Sequence, residues 1–144
     1  MQILRCSSDA KNVRELLKLA EGIGNLLFLS PSAVRTEKEL QAAFYLASEA
    51  FKSKKNISEK LANEAMLFLS CETNFSSAAK KIGAASPDDF ILVSKETIPI
   101  AKLKRALRLA SAESLSLSEW GKKRGAYFEG EIAVEKMALS RIMN

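Results

Sequence analysis

The hydrophobic positions of the chain fall into short continuous runs and into longer stretches with helical spacing. The short runs lie at residues 2–6, 25–30 and 90–93, and turn-forming residues stand beside them, which is typical of strands. Residues 114–117 are predicted to form a fourth strand. The pattern therefore predicts a small sheet of about four strands.

Between these runs, apolar residues recur three and four positions apart, which predicts helices. Residues 9–20 form the first such stretch, and Pro99 stands in the first turn of another that continues to residue 110. Thr36 and Glu39 make a T-x-x-E capping box at the start of the longest helix. Its apolar residues share about 120° of the helix circumference: Leu40, Ala43, Phe44, Ala47, Ala50 and Phe51.

The next helical stretch, at residues 61–69, is apolar on almost every side, so we expect other elements to cover most of it. Asn74 is expected to cap a shorter helix that ends at Gly83. Helical spacing returns after residue 118, with interruptions at glycines.

The predicted order of elements contains more helix than sheet. Since no internal repeat, linker or low-complexity segment divides the chain, we expect a single domain over residues 1–144. Its predicted fold class is α/β, of the α+β kind, in which a small sheet of about four strands is packed by several α-helices.

Composition excludes several classes of protein. A chain of 144 residues with 47% hydrophobic and 27% charged residues is typical of a globular domain that needs no metal or disulfide for its core. No apolar run approaches the roughly 20 residues of a membrane span, so we expect a cytoplasmic protein that does not contact a membrane. Histidine is absent, and Cys6 and Cys71 are far apart in sequence, which argues against zinc sites and histidine-dependent catalysis. Both thiols are expected to be structural.

The sequence offers no specific pattern for catalysis. Gly22-Ile23-Gly24 lacks the third glycine of a dinucleotide-binding loop and is predicted to be a turn. A carboxylate at Glu72 would raise the pKa of Cys71 and disfavour its thiolate. We therefore expect no enzyme, cofactor, metal or small-molecule substrate.

The basic residues suggest an acidic partner. The net charge is +5, and the predicted helix at residues 100–110 places Lys104, Arg105 and Arg108 opposite its apolar side. This cationic ridge either contacts phosphates, as in RNA binding, or is an ordinary solvated helix face. A stand-alone basic RNA-binding domain is therefore one candidate function.

The last helical stretch has two apolar flanks. Ile132, Leu139 and Met143 form one flank, and Val134, Met137 and Ala138 form another that is nearly opposite. Either this helix is inserted between other elements of its own domain, or its second flank docks another protein. The same question applies to Tyr45, which lies off the main apolar stripe of its helix.

Residues 63–83 carry a pattern that resembles the central motif of a known family. The sequence has Glu64 at the start of an apolar helical turn, then Ser70, Phe75, Ala78 and a helix that ends at Gly83. The order and spacing of these positions are similar to those of the smallest core accessory subunit of the KEOPS complex, the PRPK-binding protein (TPRKB) family, in its archaeal form. The likeness covers roughly residues 25–94 and 131–142.

The resemblance implies a non-catalytic accessory subunit of KEOPS, the complex that makes threonylcarbamoyladenosine in tRNA. Such a subunit binds and stimulates the atypical kinase/ATPase subunit and helps to recruit tRNA through its 3′ CCA end. The residues we assign to kinase binding are Val134, Met137, Ala138, Arg141 and Tyr45. Those assigned to RNA binding are Ser70, Asn74, Lys80, Lys81, Lys104, Arg105 and Arg108.

Three positions depart from the family pattern at the place where the tRNA tail would bind. Cys71 stands at the usual glycine, Glu72 at a neutral or basic position, and Phe68 where some archaeal relatives have arginine. These differences bear on tail binding more than on kinase binding.

Overall fold

The computed structural model describes residues 1–33, 36–115 and 135–141 of the chain. The elements are β1 (Gln2–Ser8), α1 (Val13–Leu19), β2 (Leu26–Leu29), α2 (Glu37–Lys52), α3 (Leu61–Ser70), α4 (Phe75–Ile82), β3 (Phe90–Ser94), α5 (Ile100–Leu107), β4 (Leu109–Ser114) and α6 (residues 135–141). The four described strands form one antiparallel sheet in the order β2-β3-β1-β4. The predicted α+β class with a small four-stranded sheet is confirmed.

The described residues form two compact units. Unit 1 contains residues 1–31 and 83–115, with the whole sheet, α1 and α5. Unit 2 contains α2, α3, α4 and α6. A single domain over residues 1–144 stays a prediction.

One hydrophobic cluster of unit 1 lies on one face of the sheet, and residues of the other face, such as Leu29 and Ile91, are buried as well. Alternate residues of β1 and β3 contribute Leu4, Cys6, Phe90 and Leu92, because side chains two apart point to the same side of a strand. The ring of Phe90 packs against that of Phe28 on β2, with the ring centroids 5.7 Å apart. Three leucines of α1 and α5 complete this core: Leu16, Leu103 and Leu107.

Two sequence predictions about small features of unit 1 are confirmed. Gly22 and Gly24 have positive φ angles, 85° and 133°, in the turn that leads into β2. Burial of Cys6 in the core raises the pKa of its thiol to about 12, so this cysteine is an unreactive structural residue.

The longest helix of unit 2 begins as its capping residues predict. The Thr36 hydroxyl accepts a hydrogen bond from the Glu39 amide, and the Glu39 carboxylate accepts one from the Thr36 amide, both at 3.2 Å. This capping box fixes the start of α2, which packs on α3. The predicted stripe on α2 is buried apart from Phe51, which is half-buried. α3 is buried on most sides, as expected.

The prediction for residues 97–117 is wrong in two respects. α5 ends at Leu107 rather than at residue 110, because Arg108 has a left-handed backbone with φ 54° and closes the helix. The fourth strand then begins at Leu109, five residues before the predicted start, and ends at Ser114. The apolar spacing of Leu107 and Ala110 imitated one more helical turn.

Two further elements differ in extent from their predictions. α1 begins at Val13 instead of residue 9, since Asn12 caps it by accepting a hydrogen bond from the Glu15 amide at 2.9 Å. The predicted helical return after residue 118 is described only at α6, and the interruption predicted near Gly121, Gly125 or Gly130 lies outside the described residues.

In the described ranges, no helix has the length and apolar content needed to span a bilayer. Among the same residues, no group of three or more histidine, cysteine, aspartate or glutamate side chains is arranged to hold a metal ion.

Candidate partner-binding site

A buried carboxylate organises the helices of unit 2. Glu64 lies on α3 and its side chain is completely buried. Its two oxygens accept hydrogen bonds from the backbone amides of Ile57, at 3.1 Å, and Ser58, at 3.0 Å, in the connection between α2 and α3. A buried charge without partners is strongly destabilising, so these donors are what permits a glutamate here.

The third donor to Glu64 is Arg141, which lies 77 positions later in the sequence. Nη1 of Arg141, on α6, lies 3.1 Å from Oε2 of Glu64. The guanidinium also stacks over Phe68 of α3, with Cζ 4.2 Å from the ring centroid, in a cation–π contact. The Arg141 side chain is therefore only 19% exposed, and it fixes α6 to α3.

The burial of α6 distinguishes its two sides. Met137 is fully buried and lies on the same side of the helix as Arg141, four positions later. Leu139 is 50% exposed on the opposite side, and Ala138 beside it is also exposed. Of the predicted kinase-binding residues on this helix, Met137 and Arg141 thus lie inside the unit, Ala138 is accessible, and Val134 lies outside the described residues.

Tyr45 lies on the outward side of α2, where its side chain is 65% exposed. The buried residues Leu40, Phe44 and Ala47 define the opposite side, which packs toward the core. An exposed tyrosine in the middle of a helix offers a large, rigid side chain with a hydroxyl, the kind of residue that dominates many protein interfaces.

The turn between α3 and α4 is built by backbone hydrogen bonds. Cys71 ends α3 in the left-handed conformation, with φ 60°, and its amide donates to the carbonyls of Leu67 and Phe68. The Ser70 hydroxyl is buried, donates to the Leu67 carbonyl and accepts from the Glu72 amide. Glycine adopts this left-handed conformation without strain, which fits the glycine expected at position 71 from the resemblance.

The residues of this turn that were assigned to RNA binding have different environments. Asn74 caps α4, and its Oδ1 accepts a hydrogen bond from the Ser77 amide at 2.8 Å. Lys81 reaches back to donate to the Ser70 carbonyl at 2.8 Å and lies 3.9 Å from Oε1 of Glu72. Lys80 is exposed, so the structure presents it to solvent while Ser70 and Lys81 hold the turn together.

The Cys71 thiol has a raised pKa. Burial is the main cause, Glu72 adds to it, and the positive charges of Lys81 and Lys136 oppose it. The direction agrees with the prediction of an unreactive thiol, although burial matters more than the neighbouring carboxylate.

The three predicted ridge residues of α5 are only partly brought together. Lys104 and Arg105 are exposed on the helix. Arg108 follows the helix instead of lying on it, and its Nη1 forms an ion pair with Oε1 of Glu15 on α1 at 3.0 Å. The continuous ridge expected from a helix up to residue 110 is therefore corrected to a shorter one.

A family comparison gives these features a context. The family model described as "Kinase binding protein CGI-121" matches residues 7–124 of the 144 residues. The chain belongs to this family. Membership confirms the resemblance found in residues 63–83, and the matched range includes Tyr45, Glu64 and the α3–α4 turn. No curated protein matches the chain.

The partner of Glu64 was missed in the sequence. The family pattern marked Glu64, and Arg141 was assigned to kinase binding, but nothing in their spacing joins residues 77 positions apart. The available signal was chemical: a glutamate in an otherwise apolar helix requires a buried cation or several donors. The family match over residues 7–124 includes Glu64 and does not include Arg141.

The ion pair predicts a strong energetic coupling. Glu64→Gln should lower the free energy of unfolding by about 3 kcal/mol, because it leaves the Arg141 guanidinium buried without its counter-charge. Arg141→Met removes the charge and keeps an apolar contact with Phe68. The double variant should therefore lose less free energy of unfolding than the two single variants lose in total, by at least about 1 kcal/mol. Urea unfolding of the four proteins measures this coupling, and strictly additive losses would show that the pair does not hold α6.

The backbone at position 71 predicts a stabilising substitution. Cys71→Gly should raise the free energy of unfolding by about 0.5–1 kcal/mol, since glycine adopts the left-handed conformation without strain. Cys71→Ala is the matched control, because it removes the thiol and keeps the Cβ atom. Thermal and urea unfolding compare the two, and a glycine variant no more stable than the alanine variant would contradict the strain argument.

Proposed function

We propose that this chain is a non-catalytic accessory subunit of a KEOPS complex that binds and stimulates the kinase/ATPase subunit in the cytoplasm. The observation that carries the proposal is membership of a family of kinase-binding proteins over residues 7–124. The sequence pattern at residues 63–83 supports the narrower assignment to the complex that modifies tRNA with threonylcarbamoyladenosine.

The docking surface in this proposal lies on unit 2. Tyr45 on α2 and the accessible side of α6, with Ala138 and Leu139, supply the exposed part. Met137 and Arg141 act from beneath, because their burial sets the orientation of α6. The contribution of Val134 stays a prediction. A preordered surface favours binding, since little conformational entropy is lost when the partner docks.

Recruitment of tRNA through its 3′ CCA end is the second part of the proposal. Exposed Lys80 supplies a cation on α4, and Lys81 keeps a second positive charge at the turn while it holds the Ser70 carbonyl. The carboxylate of Glu72 lies within 3.9 Å of Lys81 and reduces its attraction for phosphate. The tail contact is therefore expected to be weak and sensitive to salt.

Kinase binding should depend on the exposed side chains of unit 2. Tyr45→Ala and Leu139→Glu are each expected to raise the Kd for the kinase subunit at least about tenfold. The first removes a tyrosine of the kind that dominates interfaces, and the second places a carboxylate in an apolar contact; each loss of about 1.4 kcal/mol is tenfold in Kd. Isothermal titration calorimetry measures the affinity, and unfolding curves should stay close to wild type. Leu17→Ala, an exposed leucine of unit 1, is the matched control. Wild-type affinity in both variants would place the interface elsewhere.

Met137→Glu should lower the stability of the protein, unlike the substitutions at the exposed residues Tyr45 and Leu139. A carboxylate at this fully buried position should unfold or strongly destabilise unit 2, so any loss of kinase binding would follow from loss of structure. Circular dichroism of the purified variant tests this expectation. A variant that unfolds at the wild-type temperature would show that the side chain is accessible after all.

The tail contact predicts an effect that depends on the RNA end. Lys80→Glu should weaken binding of a tRNA with its CCA end about three- to tenfold at low salt, and should leave binding of the same tRNA without CCA unchanged. Electrophoretic mobility shifts with both RNAs make the comparison, with Lys55→Glu as a control of equal charge. An equal effect of Lys80→Glu on both RNAs would remove the tail from this site.

A further inference from the structure

A second cationic surface lies on unit 1, away in sequence from the α3–α4 turn. α1 and α5 pack against each other and bury Leu16, Leu103 and Leu107 in the same core. Their outward sides therefore lie next to each other on one side of the sheet. We call this surface the basic face, and its exposed cations are Lys11, Arg14, Lys18, Lys102, Lys104 and Arg105.

The cations on each helix point away from the core. On α1, Arg14 and Lys18 are four residues apart and lie opposite Leu16. On α5, Arg105 lies opposite the buried leucines, with Lys102 and Lys104 on either side of it. The positive charges thus line the outward surface of both helices.

Acidic residues do little to compensate this charge. Residues 100–108 contain no aspartate or glutamate, and residues 11–21 contain only Glu15 and Glu21. Glu15 is engaged by Arg108 at 3.0 Å. The exposed acids beside the face are Glu21 and Asp9, whose amide donates to the Arg108 carbonyl at 3.0 Å. Two helical lysines of unit 2 lie beside acids instead: Lys52 pairs with Glu49, and Lys81 lies near Glu72.

Such an arrangement repels itself unless an anion is bound. Cations four residues apart on a helix destabilise it, and neighbouring cationic helices add to the repulsion. A polyanion removes this repulsion and releases its own counterions when it binds, which makes the association favourable at low salt.

The side chains of the basic face also indicate which form of nucleic acid fits. Neither residues 11–21 nor residues 100–108 contain an aromatic residue on which unpaired bases could stack. The positive charge of the face is spread across two helices. Such a surface can contact a regular row of phosphates, but it has no group that recognises an individual base.

We propose that the basic face binds the phosphate backbone of double-stranded RNA without sequence preference. The choice of RNA over DNA rests on the proposed function in tRNA modification, while the phosphate contact follows from the face itself. The contact is separate from the CCA-end contact, since it needs neither an RNA end nor Lys80.

The test uses a blunt 20-base-pair RNA duplex with no CCA tail and the full-length chain. Arg14→Glu combined with Arg105→Glu should raise the Kd at 50 mM salt at least about tenfold, and the log–log salt dependence should become shallower by about 2, one for each lost phosphate contact. Lys55→Glu combined with Lys60→Glu changes the charge equally at exposed positions of unit 2, and should change the Kd less than about threefold. Both pairs are exposed, and the changes at Arg14 and Arg105 reduce the repulsion between cations, so neither double variant should unfold at a lower temperature than wild type.

Three results would overturn the proposal. They are no binding of the wild-type chain to the duplex at 50 mM salt, equal losses in the two double variants, and displacement of the duplex by an equal charge concentration of polyglutamate. The last result would identify an acidic protein as the partner. Lys80→Glu should leave duplex binding unchanged, and kinase binding is measured separately, so a failure here is distinguishable from a failure of the proposed function.

Discussion

The structure of unit 2 depends on the buried carboxylate of Glu64. Two backbone amides of the α2–α3 connection and the guanidinium of Arg141 satisfy it, so one side chain joins a loop, a helix and the C-terminal helix. A charge removed from water requires all of these partners at once. The same constraint turns Met137 inward and Leu139 outward on α6, and thereby determines which part of that helix another protein can reach.

Features that depend on neighbouring residues could be predicted from the sequence. The capping box of Thr36 and Glu39, the Asn74 cap and the glycine turn before β2 each act within a few residues, and each is present. The fold class could be predicted from the short apolar runs. A strand that is buried on both faces, such as β2 or β3, has apolar residues at consecutive positions.

Other features depend on contacts between distant residues and could not be predicted. α5 ends at Leu107 because the next residue, Arg108, has a left-handed backbone. Arg108 also forms an ion pair with Glu15, and nothing in the neighbouring sequence indicates either feature. The two apolar flanks of the last helix were recognised, yet only the burial of Met137 and the pairing of Arg141 with Glu64 show which flank faces inward. For Ser70 and Lys81 the polar groups suggested binding, whereas their bonds within the turn give them a structural role as well.

Together these observations divide the proposed roles between the two units: unit 2 docks the kinase subunit and contacts the 3′ CCA end, and the basic face of unit 1 contacts double-stranded RNA. Hydrogen exchange of the wild-type chain, alone and saturated with the kinase subunit, tests this division most directly, because it reports protection of backbone amides along the whole sequence. The account predicts slower exchange in α2 around Tyr45 and in residues 135–141, with α1 and α5 unchanged. Protection confined to α1 and α5, or no change anywhere at saturating kinase, would contradict it.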